Sequence, residues 1–177
     1  MRGSANILLI TGVPGIGKTT VIRKVAASLP GIKISGFYSE EIRVNNARQG
    51  FELVTFQGRR FVMAHVDLTS AYRVGRYGVT VAVIDIAIEN ALPEESSTKL
   101  FIIDEIGKME CFSSLFVKRM TSILDSGKPV IATIALKGGG FIVEVKNRPG
   151  IELWKMTTKN PDHMAQRIID WFESKKS

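Results

Sequence analysis

The chain has 177 residues, of which 45% are hydrophobic and 23% charged, values that predict one globular domain over residues 1–177. No apolar run approaches the roughly 20 residues of a membrane span, the N-terminus has no signal-peptide pattern, and a single cysteine, Cys111, excludes an internal disulfide. These features favour a cytoplasmic location without a membrane partner. The net charge of +7 comes from scattered basic residues, so nucleic acid is a possible partner but not an expected one.

The first elements in chain order are a strand, a helix and a second strand. The short apolar run over residues 7–11 ends at a glycine and predicts a buried strand. Residues 19–29 carry apolar side chains at helical spacing, and Pro30-Gly31 ends that helix. The run over residues 32–38 predicts the second strand.

The next segment departs from this alternation of strand and helix. Two turn signals, at residues 45–46 and 57–58, flank extended segments over residues 51–56 and 60–66. The pattern predicts a small antiparallel β meander inserted into the domain at about residues 40–66.

The remainder of the chain returns to the alternation. The predicted helices cover residues 81–92, 113–125, 141–146 and a final segment that begins at Asn160-Pro161, with the asparagine as cap. The predicted strands cover residues 100–103, 130–135 and 151–156. Alternating strands and helices predict an α/β fold in three layers, with a mostly parallel sheet and helices on both of its faces.

Residues 12–19, which read GVPGIGKT, match the pattern Gly-x-x-x-x-Gly-Lys-Thr and lie between a strand and a helix. That context is typical of a P-loop, in which glycines let backbone N–H groups converge on a phosphate chain at the N-terminus of a helix. We expect Lys18 to reach the β- and γ-phosphates and the Thr19 hydroxyl to bind Mg²⁺. The predicted nucleotide-binding residues are Gly12, Val13, Pro14, Gly15, Ile16, Gly17, Lys18, Thr19 and Thr20.

Two acidic residues follow the predicted strand at residues 100–103. A P-loop protein needs a carboxylate at the end of another strand to hold its magnesium, and Asp104 is the candidate, acting through water. Glu105 follows directly, and a carboxylate beside the metal acid can orient and deprotonate an attacking water. Glu105 therefore favours hydrolysis and is, with Lys18, the predicted catalytic residue; the alternative is a solvated loop carboxylate.

Other polar residues are candidates for accessory roles. Glu40, Glu41 and Arg43 follow the second strand, at the sheet edge where ligands bind, and form either a charged cluster near the γ-phosphate or structural ion pairs. Thr133, late in its strand, is either a sensor of the γ-phosphate or a core threonine. The candidates for a charge-neutralising finger are Arg76, Lys146 and Arg148, each of which has a solvated surface cation as its alternative.

Five stretches in order resemble one known family: residues 12–19 (GVPGIGKT), 36–43 (GFYSEEIR), 50–51 (GF), 74–79 (VGRYGV) and 103–110 (IDEIGKME). The resemblance is to the nucleoside-triphosphate phosphatases typified by a thermophile enzyme and, in vertebrates, by the cancer-related nucleoside-triphosphatase. It spans nearly the whole chain, and the last stretch adds Lys108 as an accessory candidate. Where the family pattern has Asn-Arg-Asp, this chain has Pro161, which puts an arginine contact there in doubt.

This resemblance implies a RecA-like P-loop core and slow, magnesium-dependent hydrolysis of ATP, GTP and other nucleoside triphosphates to diphosphate and phosphate. Two alternatives stay open: a nucleotide or small-molecule kinase, although no arginine-rich lid is evident, and a nucleic-acid-associated ATPase. The expected assembly is a monomer or a weak oligomer.

Overall fold

The computed structural model describes residues 6–94 and 97–176, and within them strands and helices alternate along most of the chain. The strands are β1 (Ile7–Thr11), β2 (Ile34–Val44), β3 (Ala47–Thr55), β4 (Arg60–His65), β5 (Arg73–Val74), β6 (Tyr77–Val79), β7 (Leu100–Ile106), β8 (Val130–Ile134) and β9 (Ile151–Lys155). The helices are α1 (Lys18–Ala27), α2 (Val81–Ala91), α3 (Ser114–Asp125), α4 (Phe141–Lys146) and α5 (Pro161–Glu173), with a short 3₁₀ helix at Glu110–Phe112.

In the described part of the chain, the strands form one mixed sheet in the order β5-β6-β4-β3-β2-β7-β8-β1-β9. The half from β2 to β9 is parallel, and the half from β2 to β5 is antiparallel. Strand β2 belongs to both halves, because it pairs with β7 on one side and with β3 on the other. The carboxyl ends of the parallel strands therefore meet at one edge of the sheet.

Both faces of the parallel half are covered by helices, as the sequence predicts. Side chains alternate across β1, so that Ile7 and Leu9 pack into one core with α2, α3 and α4, while Leu8 and Ile10 pack into a second core with α1 and α5. Each of these four side chains is at most 8% exposed. A strand that is apolar on both faces gives the continuous run seen in the sequence, rather than an alternating pattern.

The predicted meander is present but is not a separate insertion. Strand β2 does not end at residue 38; it continues to Val44, and the turn at Asn45 and Asn46 leads directly into β3. Both asparagines have positive φ angles, 49° and 62°, which suit a two-residue hairpin turn. The hairpin of β5 and β6, which completes the antiparallel half, was not predicted. The polar, half-exposed residues late in β2 carry no apolar signal that would mark them as strand.

The start of α5 differs from its prediction in one detail. Pro161 is the first helical residue, as expected, but the side chain of Asn160 does not cap the helix. Its Oδ1 accepts a hydrogen bond from Thr157 N at 2.8 Å, and its Nδ2 donates to Lys155 O at 3.2 Å. Asn160 therefore fixes the turn between β9 and α5. None of the helices in the described ranges is both long and apolar enough to cross a membrane.

Candidate active site

The loop at residues 12–19, called the 12–19 loop below, connects the carboxyl end of β1 to the first turn of α1. Gly15 and Gly17 have φ angles of 79° and 102°, in the left-handed region that side chains other than glycine rarely adopt. A side-chain carbon on Gly12 would lie 2.9 Å from Met156 O, so the backbone passes too close there for any other residue. The glycine spacing therefore has a physical cause at each of these positions.

Lys18 lies across the 12–19 loop. Its ammonium group donates to Gly12 O at 3.0 Å and approaches Val13 O at 3.4 Å. The same nitrogen lies 3.9 Å from a carboxylate oxygen of Glu105. A positive charge from the 12–19 loop and a negative charge from β7 therefore lie close together at this edge of the sheet.

Asp104 is buried at the same edge and is held by donors from three neighbouring segments. Thr19 Oγ1 donates to its Oδ2 at 2.6 Å, and Thr133 Oγ1 donates to its Oδ1 at 2.6 Å. On β2, Ser39 N approaches Oδ2 at 3.5 Å, and Ser39 Oγ donates to the backbone carbonyl of Asp104 at 3.0 Å. Burial raises the pKa of Asp104, while the hydrogen bonds from Thr133 and Thr19 work in the opposite direction.

A β-bulge presents Asp104 and Glu105 in different directions. Ile103 pairs with Ala132 of β8 and Ile106 pairs with Ile134, so two residues of β7 face the single residue Thr133 between them. Asp104 turns into the interior, where it is 2% exposed, whereas the side chain of Glu105 is 33% exposed. Two consecutive acids therefore occupy distinct positions beside the 12–19 loop.

The pKa of Glu105 is raised above its ordinary value. Burial is the largest cause, and the positive charge of Lys18 opposes it. The Asp104 carboxylate raises the pKa further and the Lys146 ammonium lowers it. A carboxylate with an elevated pKa that faces a lysine in a cleft is suited to accept a proton.

The residues at this edge fit a magnesium ion. Mg²⁺ prefers oxygen ligands and is bound by one or two protein groups together with phosphates and water. The Thr19 hydroxyl and the Asp104 carboxylate, joined by a hydrogen bond of 2.6 Å, supply such oxygens. Within the described ranges, no group of three or more His, Cys, Asp and Glu residues could hold a metal ion by itself.

The comparisons with known proteins agree with this geometry. The family model described as NTPase matches residues 7–169. The chain belongs to this NTPase family. The nucleoside-triphosphatase THEP1 of Thermotoga petrophila is 41% identical over 166 residues, which cover 92% of this chain and 90% of that protein. The human cancer-related nucleoside-triphosphatase is 32% identical over 97% of this chain and 99% of its own length.

Two solved structures share the fold. The crystal structure of THEP1 from the hyperthermophile Aquifex aeolicus is 34% identical, has a TM-score of 0.79 and covers 94% of this chain and 98% of its own. The solution structure of a human cancer-related nucleoside triphosphatase has a TM-score of 0.81 at 32% identity, with 95% and 97% coverage. The family resemblance predicted from the sequence, and with it the enzyme class, is confirmed. The α/β fold is confirmed too, but the sheet is mixed and not mostly parallel, because β3 to β6 extend it with antiparallel pairs.

The accessory acids of this family member lie within β2, not beyond its end as the sequence suggested. Glu40 forms ion pairs with Arg23 at 3.1 Å and with Arg60 of β4. Glu41 pairs with Arg43 at 2.6 Å and with Arg48 of β3 at 3.0 Å. Burial works to raise the pKa of Glu41, but the bonds from Arg48 and Arg43 prevail and hold it below its ordinary value. The structural ion pair is therefore the better interpretation of these residues.

The three finger candidates occupy different places in this NTPase. Lys146, at the end of α4, donates to Ala135 O at 2.6 Å and to Leu136 O at 3.0 Å, just past β8, and its charge acts on Glu105. Arg148 pairs with Asp125. Asp125 is the last residue of α3, which returns the chain toward the amino end of β8. Lys146 is thus the candidate that the fold brings near Glu105.

The remaining candidates also have definite positions. Arg76 donates to Arg48 O and, at 3.3 Å, to the Tyr77 hydroxyl, on the antiparallel half of the sheet. Lys108 is exposed in the turn after β7. Thr133 donates a hydrogen bond to Asp104. The sequence alone could not distinguish such a polar contact from simple core packing. Ser39, which also donates a hydrogen bond to Asp104, was not predicted as a site residue. Its only sequence signal is that it is a polar residue just beyond the part of β2 that pairs with β7.

A cleft of about 220 Å³ opens beside the 12–19 loop of this NTPase, between α1 and α5. Thr20 and Lys24 line it from α1, Met156 lines it after β9, and Pro161 and Asp162 line it at the start of α5. Its walls are mainly apolar, with charged groups at the surface. It directly continues the surface on which the 12–19 loop presents its backbone.

Proposed function

We propose that this protein is a magnesium-dependent nucleoside-triphosphate phosphatase with a RecA-like P-loop core, which hydrolyses the bond between the β- and γ-phosphates. The observation that carries the proposal is the position of Glu105. Its carboxylate lies 3.9 Å from Lys18 Nζ, next to the Asp104 that is bonded to Thr19. A proton acceptor, a phosphate-binding cation and a metal-binding pair therefore share one edge of the sheet. The names of the relatives, nucleoside-triphosphatases, support the same substrate class.

The 12–19 loop would bind the triphosphate. Its backbone N–H groups and the N-terminus of α1 provide positive partial charge for the phosphate oxygens. Lys18, whose ammonium group already lies across the loop, adds a full positive charge at the β- and γ-phosphates. Lys146, whose ammonium group donates to two carbonyl groups past β8, would add a second positive charge opposite the negative γ-phosphate.

Thr19 and Asp104 would hold the magnesium ion, Thr19 through its hydroxyl and Asp104 through a water molecule. When bound, the ion supplies charge neutralisation at the phosphate oxygens. The donors from Thr133 and Ser39 keep the buried Asp104 carboxylate in one orientation. This orientation matters because catalysis of phosphoryl transfer consists mostly of positioning and charge stabilisation.

Glu105 would accept a proton from the attacking water. Burial moves its pKa up toward the operating pH, which makes the carboxylate a better base than a solvated glutamate. Its side chain is 33% exposed, and its Oε2 lies 3.9 Å from Nζ of Lys18 in the 12–19 loop. Water held by this carboxylate would lie on the side of the loop where the γ-phosphate is bound.

The nucleoside would extend from the loop into the cleft between α1 and α5. Thr20 lies at the end of the cleft that adjoins the loop, and Met156 and Pro161 provide apolar surface for a base. Lys24 and Asp162 are exposed and flexible groups at its rim, so contacts to the edge of the base would be weak. Apolar packing alone discriminates poorly between bases.

The test is the variant Glu105→Gln, assayed with magnesium and a panel of nucleoside triphosphates with identification of the products. We expect phosphate release to fall by about a hundredfold or more, because the amide cannot accept the proton, while nucleotide affinity stays within a few fold. Glu89→Gln, the same change on the exposed surface of α2, is the matched control. Unchanged turnover in Glu105→Gln would contradict the role of Glu105, and a phosphorylated acceptor among the products would indicate a kinase instead.

A further inference from the structure

A buried carboxyl group that the proposed reaction does not use lies beside Glu105. Glu110 begins the 3₁₀ helix that follows β7, and the residue is 4% exposed, although glutamate is rarely buried so fully without partners. Burial raises the pKa of its carboxyl group, and the nearby backbone N–H groups of Glu110 itself and of Gly107 act in the opposite direction. The side chain is therefore folded back onto the turn that connects it to Glu105.

Glu105 and Glu110 meet at Gly107. A side-chain carbon placed on Gly107 would lie 2.8 Å from Glu110 Oε2 and 3.0 Å from Glu105 Oε1. The two carboxyl oxygens are therefore at most about 6 Å apart, the sum of those two distances. Glycine leaves the space in which the two carboxyl groups approach each other.

Two ionised carboxylates this close in a buried space would repel, so one of them keeps its proton. Burial is the largest cause and the charge of Glu105 the next in raising the pKa of Glu110 to about 8. Glu110 is consequently neutral for the most part at pH 7. It can then pack next to the Glu105 carboxylate without electrostatic repulsion.

The charges that act on Glu110 come from β7, where Asp104 adds to the effect of Glu105. The 3₁₀ helix also contacts α2 and α3. Asp85 of α2 accepts a hydrogen bond from Ser113 Oγ, and Arg119 of α3 donates to Leu92 O, so both groups have partners of their own. The neighbouring Cys111 has its pKa raised to about 12 by burial and by Glu110, and it stays a neutral thiol.

We propose that Glu110 is a positioning residue that holds the Glu105 carboxylate toward Lys18 and the attacking water. The proposal rests on the proposed function, since that function assigns the water to Glu105. The two oxygens of Glu105 have different neighbours: Oε2 lies 3.9 Å from Lys18 Nζ, whereas Oε1 lies beside Gly107, next to Glu110 Oε2. The buried Glu110 side chain would therefore limit movement of the Glu105 carboxylate away from Lys18. When Glu110 ionises at alkaline pH, its charge repels Glu105 and disturbs this position.

The experiment measures kcat and KM for magnesium-ATP between pH 6.5 and 9.5 in the full chain, for Glu110→Gln and Glu110→Ala, with Glu89→Gln as the matched control. We expect Glu110→Ala to lower kcat by about tenfold or more with KM within twofold, because a small misplacement of a catalytic group is costly. Glu110→Gln, which copies the neutral acid, should keep kcat within about threefold at pH 7. The decline of kcat above about pH 8 in the wild-type protein should be absent from Glu110→Gln and retained in Glu89→Gln.

Three results would overturn the proposal: an unchanged kcat in Glu110→Ala, an equal loss in both Glu110 variants at every pH, or the same alkaline decline in Glu110→Gln as in the wild type. If Glu110→Ala does not fold, the pH profile of Glu110→Gln decides alone. Wild-type protein that releases no phosphate from any triphosphate would remove the proposed function and this proposal together. Wild-type turnover with normal Glu110 variants would remove this proposal only.

Discussion

Both halves of the sheet carry charged residues, but the pKa values of their carboxyl groups shift in opposite directions. On the parallel half, Asp104 and Glu110 are buried and Glu105 is partly buried at one edge, and burial raises the pKa of each. On the antiparallel half, Glu41 is paired with two arginines, which hold its pKa low. Burial without an arginine partner prepares a carboxylate for proton transfer, whereas pairing with arginine keeps it ionised and structural.

The comparison predicts its largest effect on the parallel half, at Lys18. Lys18→Ala removes the positive charge over the 12–19 loop and should lower phosphate release from magnesium-ATP by about a hundredfold or more, with a parallel loss of nucleotide affinity. Phosphate release and equilibrium nucleotide binding measure the two effects. Lys118→Ala, on the exposed surface of α3, should behave as the wild type. Retained affinity in Lys18→Ala would contradict its role at the phosphates.

A second prediction concerns the stability contributed by Glu110. Because its pKa is raised from 4.5 to about 8, the folded protein keeps a proton that the unfolded chain loses, and stability falls as the pH rises between these values. Glu110→Gln has no such proton. Its free energy of unfolding, relative to the wild type, should therefore increase from pH 5 to pH 8 by up to a few kcal/mol, at about 1.4 kcal/mol for each unit of pKa.

Denaturant unfolding at pH 5 and pH 8 measures this difference. A wild-type and variant pair whose difference in unfolding free energy does not change with pH would show that Glu110 is ionised in the folded protein at neutral pH.

The third prediction concerns the hydrogen bond from Thr133 to the Asp104 carboxylate. Thr133→Val keeps the shape of a fully buried side chain but removes the donor to Asp104 Oδ1. The loss of one hydrogen bond to a buried carboxylate should cost about 1.5–3 kcal/mol of stability and raise the magnesium concentration needed for half-maximal activity. Thermal unfolding and a magnesium titration are the measurements. Thr121→Val, whose hydroxyl donates to Val117 O on α3, is the matched control and should leave the magnesium titration unchanged.

The smallest effect is expected on the antiparallel half, at Glu41. Glu41→Gln removes partly exposed ion pairs and should cost at most about 1 kcal/mol at pH 7, with turnover unchanged. Because the folded pKa of Glu41 is lowered, this stabilisation is present above the unfolded value of 4.5 and is lost as the pH falls through the folded value. Denaturant unfolding at pH 7 and pH 3 checks this, and a large fall in turnover would place Glu41 in the reaction after all.

Local sequence was sufficient to predict the parts of the site that follow one another along the chain. The 12–19 loop stands between an apolar run and a helical pattern, and Asp104 stands at the end of an apolar run, so each was evident from its neighbours. The contacts of Ser39 and Thr133 with Asp104 were not evident. They depend on β2 and β8 lying on either side of β7, and strand order is a property of the whole sheet.

The choice between Lys146 and Arg148 shows the same limit. Both residues are basic, Lys146 is the last residue of α4, and Arg148 follows two residues later. The position of α4 lets Lys146 donate to the carbonyl groups past β8, whereas Arg148 forms an ion pair with Asp125 of α3. The continuation of β2 beyond Tyr38 was missed because Glu40 and Glu41 pair with arginines of β4 and β3 instead of packing into a core.

Strand β2 connects the two halves of the sheet, because it pairs with β7 on one side and with β3 on the other. Ser39 lies on it two residues past Phe37, which forms the last residue pair with β7, in the part of the strand that pairs only with β3. A movement of the antiparallel half would therefore be passed along β2 to Ser39. The hydroxyl and the N–H group of Ser39 are the groups that contact Asp104. The ion-paired half of the sheet is thus connected, through a single strand, to the residue that holds Asp104 in place.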